Sequence, residues 1–128
     1  MIATREAVLR YAMDTWGDEP DRPFPGDDVT CVLRHEATRR WYAIIMEVPC
    51  RSLSLPGEGT RVLMNVKADP ALIGSLIGQP GFLPAWHMSH AHWLGVLLDA
   101  QLPMDSVIPL LDMSWALTRG GRKTARKP

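Results

Sequence analysis

Residues 81–99 read GFLPAWHMSHAHWLGVLLD, and the reading of this stretch decides the fold. A short apolar run, Phe82 to Trp86, precedes a polar passage, His87 to Ala91, and a second run extends from His92 to Leu98. Two apolar runs joined by about five turn-compatible residues predict a β-hairpin. The second run is apolar on both strand faces, with Trp93, Gly95 and Leu97 alternating against Leu94, Val96 and Leu98. That pattern predicts an interior strand covered on both sides. Gly95 lacks a side chain, which predicts something bulky lying across the sheet there.

Working outward, Thr4 is a helix cap with Glu6 in the first turn, and Val8, Leu9, Ala12, Met13 and Trp16 form an apolar stripe ending at Gly17. GDEPDRPFPGDD, residues 17–28, holds three prolines, two glycines and five acids and reads as a loop. Val29 to Arg34 is a first strand, HEATRR (35–40) a polar turn, and Trp41 to Val48 a second strand that Pro49 interrupts. Leu53 and Leu55 extend that strand after a break, and Pro56 to Gly59 turns the chain into a third strand, Arg61 to Val66. Asp69-Pro70 starts a second helix with Leu72, Ile73, Leu76 and Ile77 on its buried stripe. After the hairpin, Pro103 or Asp105 opens a last helix whose apolar positions are Val107, Ile108, Leu111, Trp115 and Leu117. Pro109 fits only near the first turn of that helix and otherwise bends it.

The predicted order is therefore α-β-β-β-α-β-β-α. Short connections make the strands antiparallel, and the helices segregate to one face, giving an α+β two-layer sandwich. A chain of 128 residues forms one domain. We expect that domain over residues 1–118, with 119–128 a flexible basic tail. No apolar run approaches the ~20 residues a membrane helix needs, and the charged N-terminus lacks a signal-peptide core. The expected location is cytoplasmic. Cys31 and Cys50 fall too far apart along a hairpin to bridge, so both are expected to be free packing thiols without a cationic neighbour.

The formal net charge is zero, yet RGGRKTARKP at the C-terminus holds five of the 14 bases and no acid, leaving nine bases against 14 acids elsewhere. A basic tail on a mildly acidic body is the main electrostatic signal. Arg34, Arg39 and Arg40 flank the first hairpin, Arg61 and Lys67 flank the third strand, and Arg119, Arg122, Lys123, Arg126 and Lys127 fill the tail.

His87, His90 and His92 invite a ligand or metal reading, with Trp86 beside them and His35 as a fourth donor, but the spacing matches no zinc signature. No metal or cofactor is expected. Ser89 lacks a nucleophile elbow. Ser114 is expected to bond to the backbone one turn earlier. Asp18, Glu19, Asp21, Asp27 and Asp28 match no calcium loop. Trp16, Trp93 and Trp115 fall on apolar faces and are expected to meet in the core, while Trp41 and Trp86 lie near strand ends. Exposed aromatics beside Arg39, Arg40 or Arg61 would suit contact with bases or phosphates.

Four segments carry a resemblance: VTCVLRHEATRRWYAIIMEV, RVLMNVKADPALIGSLI, PGFLPAWHMSHAHWLGVLLD and LLDMSWALT. Over residues 1–118 the chain resembles the MmcQ/YjbR family of small bacterial proteins. The Pro-Gly, aromatic-His-Met and His-Trp succession is the most specific marker, and Asn-Val-Lys-Ala-Asp-Pro is a second. The resemblance implies a CyaY-like α+β fold and a DNA-binding role in which the sheet and its hairpin loops act as wings. It brings no catalytic residues. Ser89, His90 and Ala91 stand here where such chains often carry lysine.

Three readings follow. The first is a non-enzymatic module that binds DNA without sequence preference and in a salt-sensitive way. The second is a small-ligand or metal protein using Trp86, His87, His90 and His92. The third is a protein-interaction module. Clustering of the bases on one surface, against scattering among acids, separates the first from the others. The oligomeric state is not legible.

Overall fold

The computed structural model describes residues 1–120. Its elements are α1 (Arg5–Trp16), β1 (Cys31–Arg34), β2 (Trp41–Pro49), β3 (Thr60–Lys67), α2 (Pro70–Leu76), β4 (Phe82–Pro84), β5 (Trp93–Leu97) and α3 (Met104–Thr118). The five strands form one antiparallel sheet in the order β1-β2-β3-β5-β4. β5 is thus an interior strand, as its two apolar faces require, and short β4 forms the edge.

The helix starts are local chemistry. Thr4 Oγ1 accepts from Ala7 N–H at 3.0 Å, and Asp69 Oδ1 accepts from Ala71 N–H at 3.3 Å ahead of Pro70. Gly17 closes α1 at φ 74°, and its N–H reaches back to Met13 O. α3 opens after Pro103, where Met104 N–H donates to Met1 O and ties down the chain start. Pro109 lies well inside α3, which continues through it. Both Pro109 and Asp105, whose carbonyl loses its helical partner, are exposed, so water can serve that oxygen.

All three helices cover one sheet face. Val8, Ala12, Ile73, Val107 and Leu111 pack there against Leu33, Ile45, Met64, Val66, Leu94 and Val96. Each fully buried aliphatic side chain stabilises the fold by roughly 1.5–3 kcal/mol. On the other face Val48, Leu63 and Leu97 form a smaller cluster, packed against Met46, Leu53, Leu55, Leu83, Trp86 and Ala100.

Several expectations are corrected. β1 begins at Cys31 because Asp27 Oδ1 accepts from both Val29 and Thr30 N–H, at 2.9 Å each, holding them in a loop. Cys50–Leu53 form a 3-10 turn in place of a strand extension, folding Leu53 and Leu55 onto the open sheet face. The close neighbour at Gly95 is largely backbone. A Cβ there would lie 3.0 Å from the carbonyl oxygens of Leu83 and Pro84 and 3.2 Å from Leu63 Cδ1. On the helical stripes Met13, Ile77 and Leu117 remain exposed.

One irregularity shapes the end of the sheet where β2 begins. Leu33 pairs with Ala43 but Arg34 pairs with Trp41, leaving Tyr42 as a bulge. The bulge lets Tyr42 and Ala43 both join the helix-side core. Tyr42 is fully buried, and its hydroxyl donates to Asp18 Oδ2 at 2.7 Å. Burial and that carboxylate together push the phenol far above its ordinary value.

Candidate functional site

The predicted cations divide into two groups. Arg34 is ion-paired with Asp21, whose backbone exchanges two hydrogen bonds with Val32. Arg39, left-handed at φ 67°, lies 4.0 Å from the same carboxylate. Arg61 meets Asp99 Oδ1 through Nε at 3.0 Å and Nη2 at 2.8 Å, while Asp99 Oδ2 accepts from Val62 N–H at 3.0 Å. Burial alone would push the Asp99 carboxyl up, but Arg61 and Val62 N–H outweigh it and hold it below its ordinary value. These arginines already have anions.

Arg40, Lys67 and Arg119 differ: among the described residues none joins an ion pair. Arg40 and Lys67 border an open groove of about 320 Å³ together with Trp41, Met88, Trp93, Leu117 and Thr118. Lys67 pairs with Trp93 across β3 and β5, so both side chains stand on one face. The Arg119 guanidinium lies 5.9 Å from the Trp115 ring centre. Gly120 runs close beside the first hairpin, where a Cβ would sit 3.2 Å from Thr38 Cγ2 and 3.6 Å from Arg40 Cζ. Arg122, Lys123, Arg126 and Lys127 lie outside the described residues.

α3 is fastened to this end by two buried hydroxyls. Contrary to the expectation of a local bond, Ser114 Oγ donates to Tyr42 O at 2.6 Å and accepts from Lys67 N–H at 2.8 Å. It bridges β2 and β3 just beyond their last ladder pair, Ala43 with Val66. Thr118 Oγ1 donates to Ser114 O at 2.7 Å and contacts His35 Nε2 at 3.0 Å. His35 is buried against Tyr42 and Trp115, away from the other histidines, so it is no fourth ligand. Burial pushes its imidazole below the ordinary value despite the opposing charge of Asp18.

The remaining candidates scatter. Asp18, Glu19 and Asp21 line a depression of about 340 Å³ with Arg34, Glu36 and Arg39, whereas Asp27 is spent on the Val29 and Thr30 amides. Those amide bonds hold the Asp27 carboxyl below its usual range. Asp28 accepts from Arg22 Nε through its backbone carbonyl.

His87 and His90 line a cleft with Trp86, and His92 is not among its walls. No group of three or more His, Cys, Asp or Glu among the described residues could hold a metal ion. Ser89 serves through its backbone carbonyl, which accepts from Trp93 N–H at 2.9 Å. Cys31 and Cys50 are free and buried. Cys31 does have a cationic neighbour, Arg5, whose Nη1 donates to its sulfur at 3.4 Å, yet burial still pushes the thiol up. Trp16 and Trp115 stack at 5.3 Å, but Trp93 sits in the groove rather than joining them. No helix of the described residues is long and apolar enough to cross a membrane.

In the sequence Asn65 stands only as the start of a family marker, with no structural role assigned to it. It is 1% exposed, and its amide donates to Trp86 O at 2.9 Å while its oxygen accepts from Trp86 N–H at 3.3 Å. A lone amide between Met64 and Val66 in an apolar strand was the available signal, because a buried polar group needs a dedicated partner.

Comparisons with known proteins agree with this architecture. The YjbR family model matches residues 14–117. The uncharacterized protein YyaQ of Bacillus subtilis is 30% identical over 118 residues, covering 92% of this chain and all of that protein. A crystal structure of a Pseudomonas syringae protein superposes with a TM-score of 0.86 at 33% identity, covering 91% of this chain and 99% of the other. A Deinococcus radiodurans protein with a DUF419 domain shares the fold at 22% identity and a TM-score of 0.71, covering 98% of this chain and 86% of its own.

Proposed function

The chain belongs to the YjbR family, and from that premise we propose that it binds nucleic acid at the end of the sheet where Arg40, Lys67 and Arg119 lie. One observation carries the reading. Arg40 and Lys67 border the same groove as the half-buried indoles of Trp41 and Trp93, and neither cation is matched by a carboxylate among the described residues. Cations without protein anions can exchange counterions for phosphates, which is the main source of non-specific affinity. Indoles beside them offer stacking surfaces for unpaired bases. Arg122, Lys123, Arg126 and Lys127 come after Arg119 in sequence and add four more bases to the chain. Arg34 and Arg61 contribute little, since releasing them from Asp21 and Asp99 offsets what a phosphate would return.

Binding of this kind is nearly blind to sequence, because phosphates carry no base code. If the five bases of residues 119–128 all engage a duplex, the salt slope from them approaches about −4.5, a loss of roughly 500-fold between 50 and 200 mM salt, and about −3.5 on a single strand. Fluorescence anisotropy with labelled oligo-dT and with a labelled duplex tests the reading. We expect binding to both at 50 mM salt, tighter for the single strand, and a chain ending at Thr118 with weakened affinity and a shallower slope. Absence of binding by the full chain to either probe at 50 mM salt contradicts it.

A further inference from the structure

On the other side of the loop from residue 85 to 92 lies the cleft that holds His87 and His90. We propose that this cleft is a binding site for a small planar molecule bearing an acidic group. It encloses about 320 Å³ between the 3-10 turn after β2 and the loop after β4. That volume is at the lower end for small-molecule sites and suits one ring or a fused pair.

Its walls supply two kinds of contact. Leu53 and Leu83, continuous with the cluster of Val48, Leu63 and Leu97, form an apolar floor, and Trp86 adds an aromatic wall. Ser54, His87 and His90 supply hydroxyl and imidazole groups, and no carboxylate of the described residues lines the cleft. A rim of donors without acids favours an anionic substituent and disfavours an amine.

The backbone around the cleft is held in a costly arrangement. Ser54 and His87 are left-handed at φ 58° and 62°, and both belong to the walls. Non-glycine residues in that region persist where surrounding structure over-determines them, which is common at ligand sites. At His87 that structure is buried Asn65, whose amide grips both backbone polar groups of Trp86, the residue before it, while Ser54 caps the 3-10 turn with its N–H on Arg51 O at 3.2 Å. Gly95 contributes from beneath, since any side chain there would strike the Leu83 and Pro84 carbonyls. The Trp86 and His87 rings meet edge to face at 4.3 Å, presenting an aromatic and a polar surface together.

The site is independent of the nucleic-acid reading and is tested on the full chain by amide NMR titration. Three probes are used: indole-3-acetate, thymidine 5′-monophosphate and uncharged indole-3-ethanol. We expect shifts centred on the amides of Leu53 to Leu55 and Trp86 to His90. At least one acid should bind about tenfold more tightly than the alcohol, as charge-assisted hydrogen bonds predict. A preference between carboxylate and monophosphate then names the acid. His90→Ala, at an exposed position, should erase the preference for acid over alcohol while leaving the fold intact. Equal affinity for acid and alcohol overturns the proposal. So do shifts centred elsewhere, or no shift at 10 mM of any probe.

Discussion

Arg61 and Lys67 stand near opposite ends of β3, about 20 Å apart at strand rise, and their surroundings differ in kind. At the Arg61 end, Asp99 holds the guanidinium through two nitrogens and also takes the Val62 amide, so charge there organises the turn into α3. At the Lys67 end, the lysine and Arg40 border an open groove with two indoles, and Gly120 lies beside Arg40. A net-negative body therefore does not imply a uniformly negative surface. Asp21 and Asp99 are held by arginines that support structure, whereas the cations of the Lys67 end border a groove with indoles and join no ion pair among the described residues.

The Lys67 end depends on the hydroxyl that fastens α3 to it. Ser114→Val leaves the Tyr42 carbonyl and the Lys67 amide without their shared hydroxyl. We expect a loss of about 3 kcal/mol in urea denaturation, since buried groups lose their partner. An unchanged midpoint would remove Ser114 as the fastener.

Charge reversal sharpens the contrast next. Arg40→Glu with Lys67→Glu should weaken oligo-dT binding on the order of 100-fold at 50 mM salt and flatten the salt slope by about 1.4. Arg61→Gln should leave affinity within about twofold. Similar losses in both proteins would erase the distinction between the two ends.

The same Arg61→Gln change should instead register in stability, by about 0.5–1 kcal/mol, the range for partly exposed pairs. Asp99 has a folded-state pKa below its ordinary 3.8. Its contribution is therefore complete above that ordinary value and is lost as pH falls through the lowered one. Acid unfolding of Arg61→Gln should show a weaker dependence across that window.

The smallest effect concerns His35. Its folded-state pKa lies below the ordinary 6.5, so the unfolded chain takes up the proton first as pH falls. Stability should then decline below pH 6.5 by at most about 1.4 kcal/mol per pH unit. His35→Gln should remove that slope, and an equal slope in both proteins would assign it elsewhere.

Much of this fold was legible because its determinants are local. Thr4 and Asp69-Pro70 announce helix starts within one turn, and the two-sided apolarity of residues 93–98 requires an interior strand. The Tyr42 bulge was hidden, since a register slip depends on both strands and Val29 to Arg34 shows no irregularity of its own. Alternation groups Trp93 with Gly95 and Leu97 but does not reveal which sheet face the helices cover, so it cannot place Trp93 outside the helix-side core. The basic candidates could be enumerated but not sorted. Pairing of Arg61 with Asp99 or Arg34 with Asp21 depends on contacts 38 and 13 residues apart, and those contacts decide which cations remain available.

That sorting is the central claim, and amide NMR titration of the full chain with unlabelled oligo-dT at 50 mM salt tests it most directly. The largest shifts among residues 1–120 should fall on Thr38 to Trp41, Lys67, Met88, Trp93 and Leu117 to Gly120, with Arg61, Val62 and Asp99 nearly still. Shifts centred on the Arg61 and Asp99 pair, or spread evenly over the sheet, would contradict it.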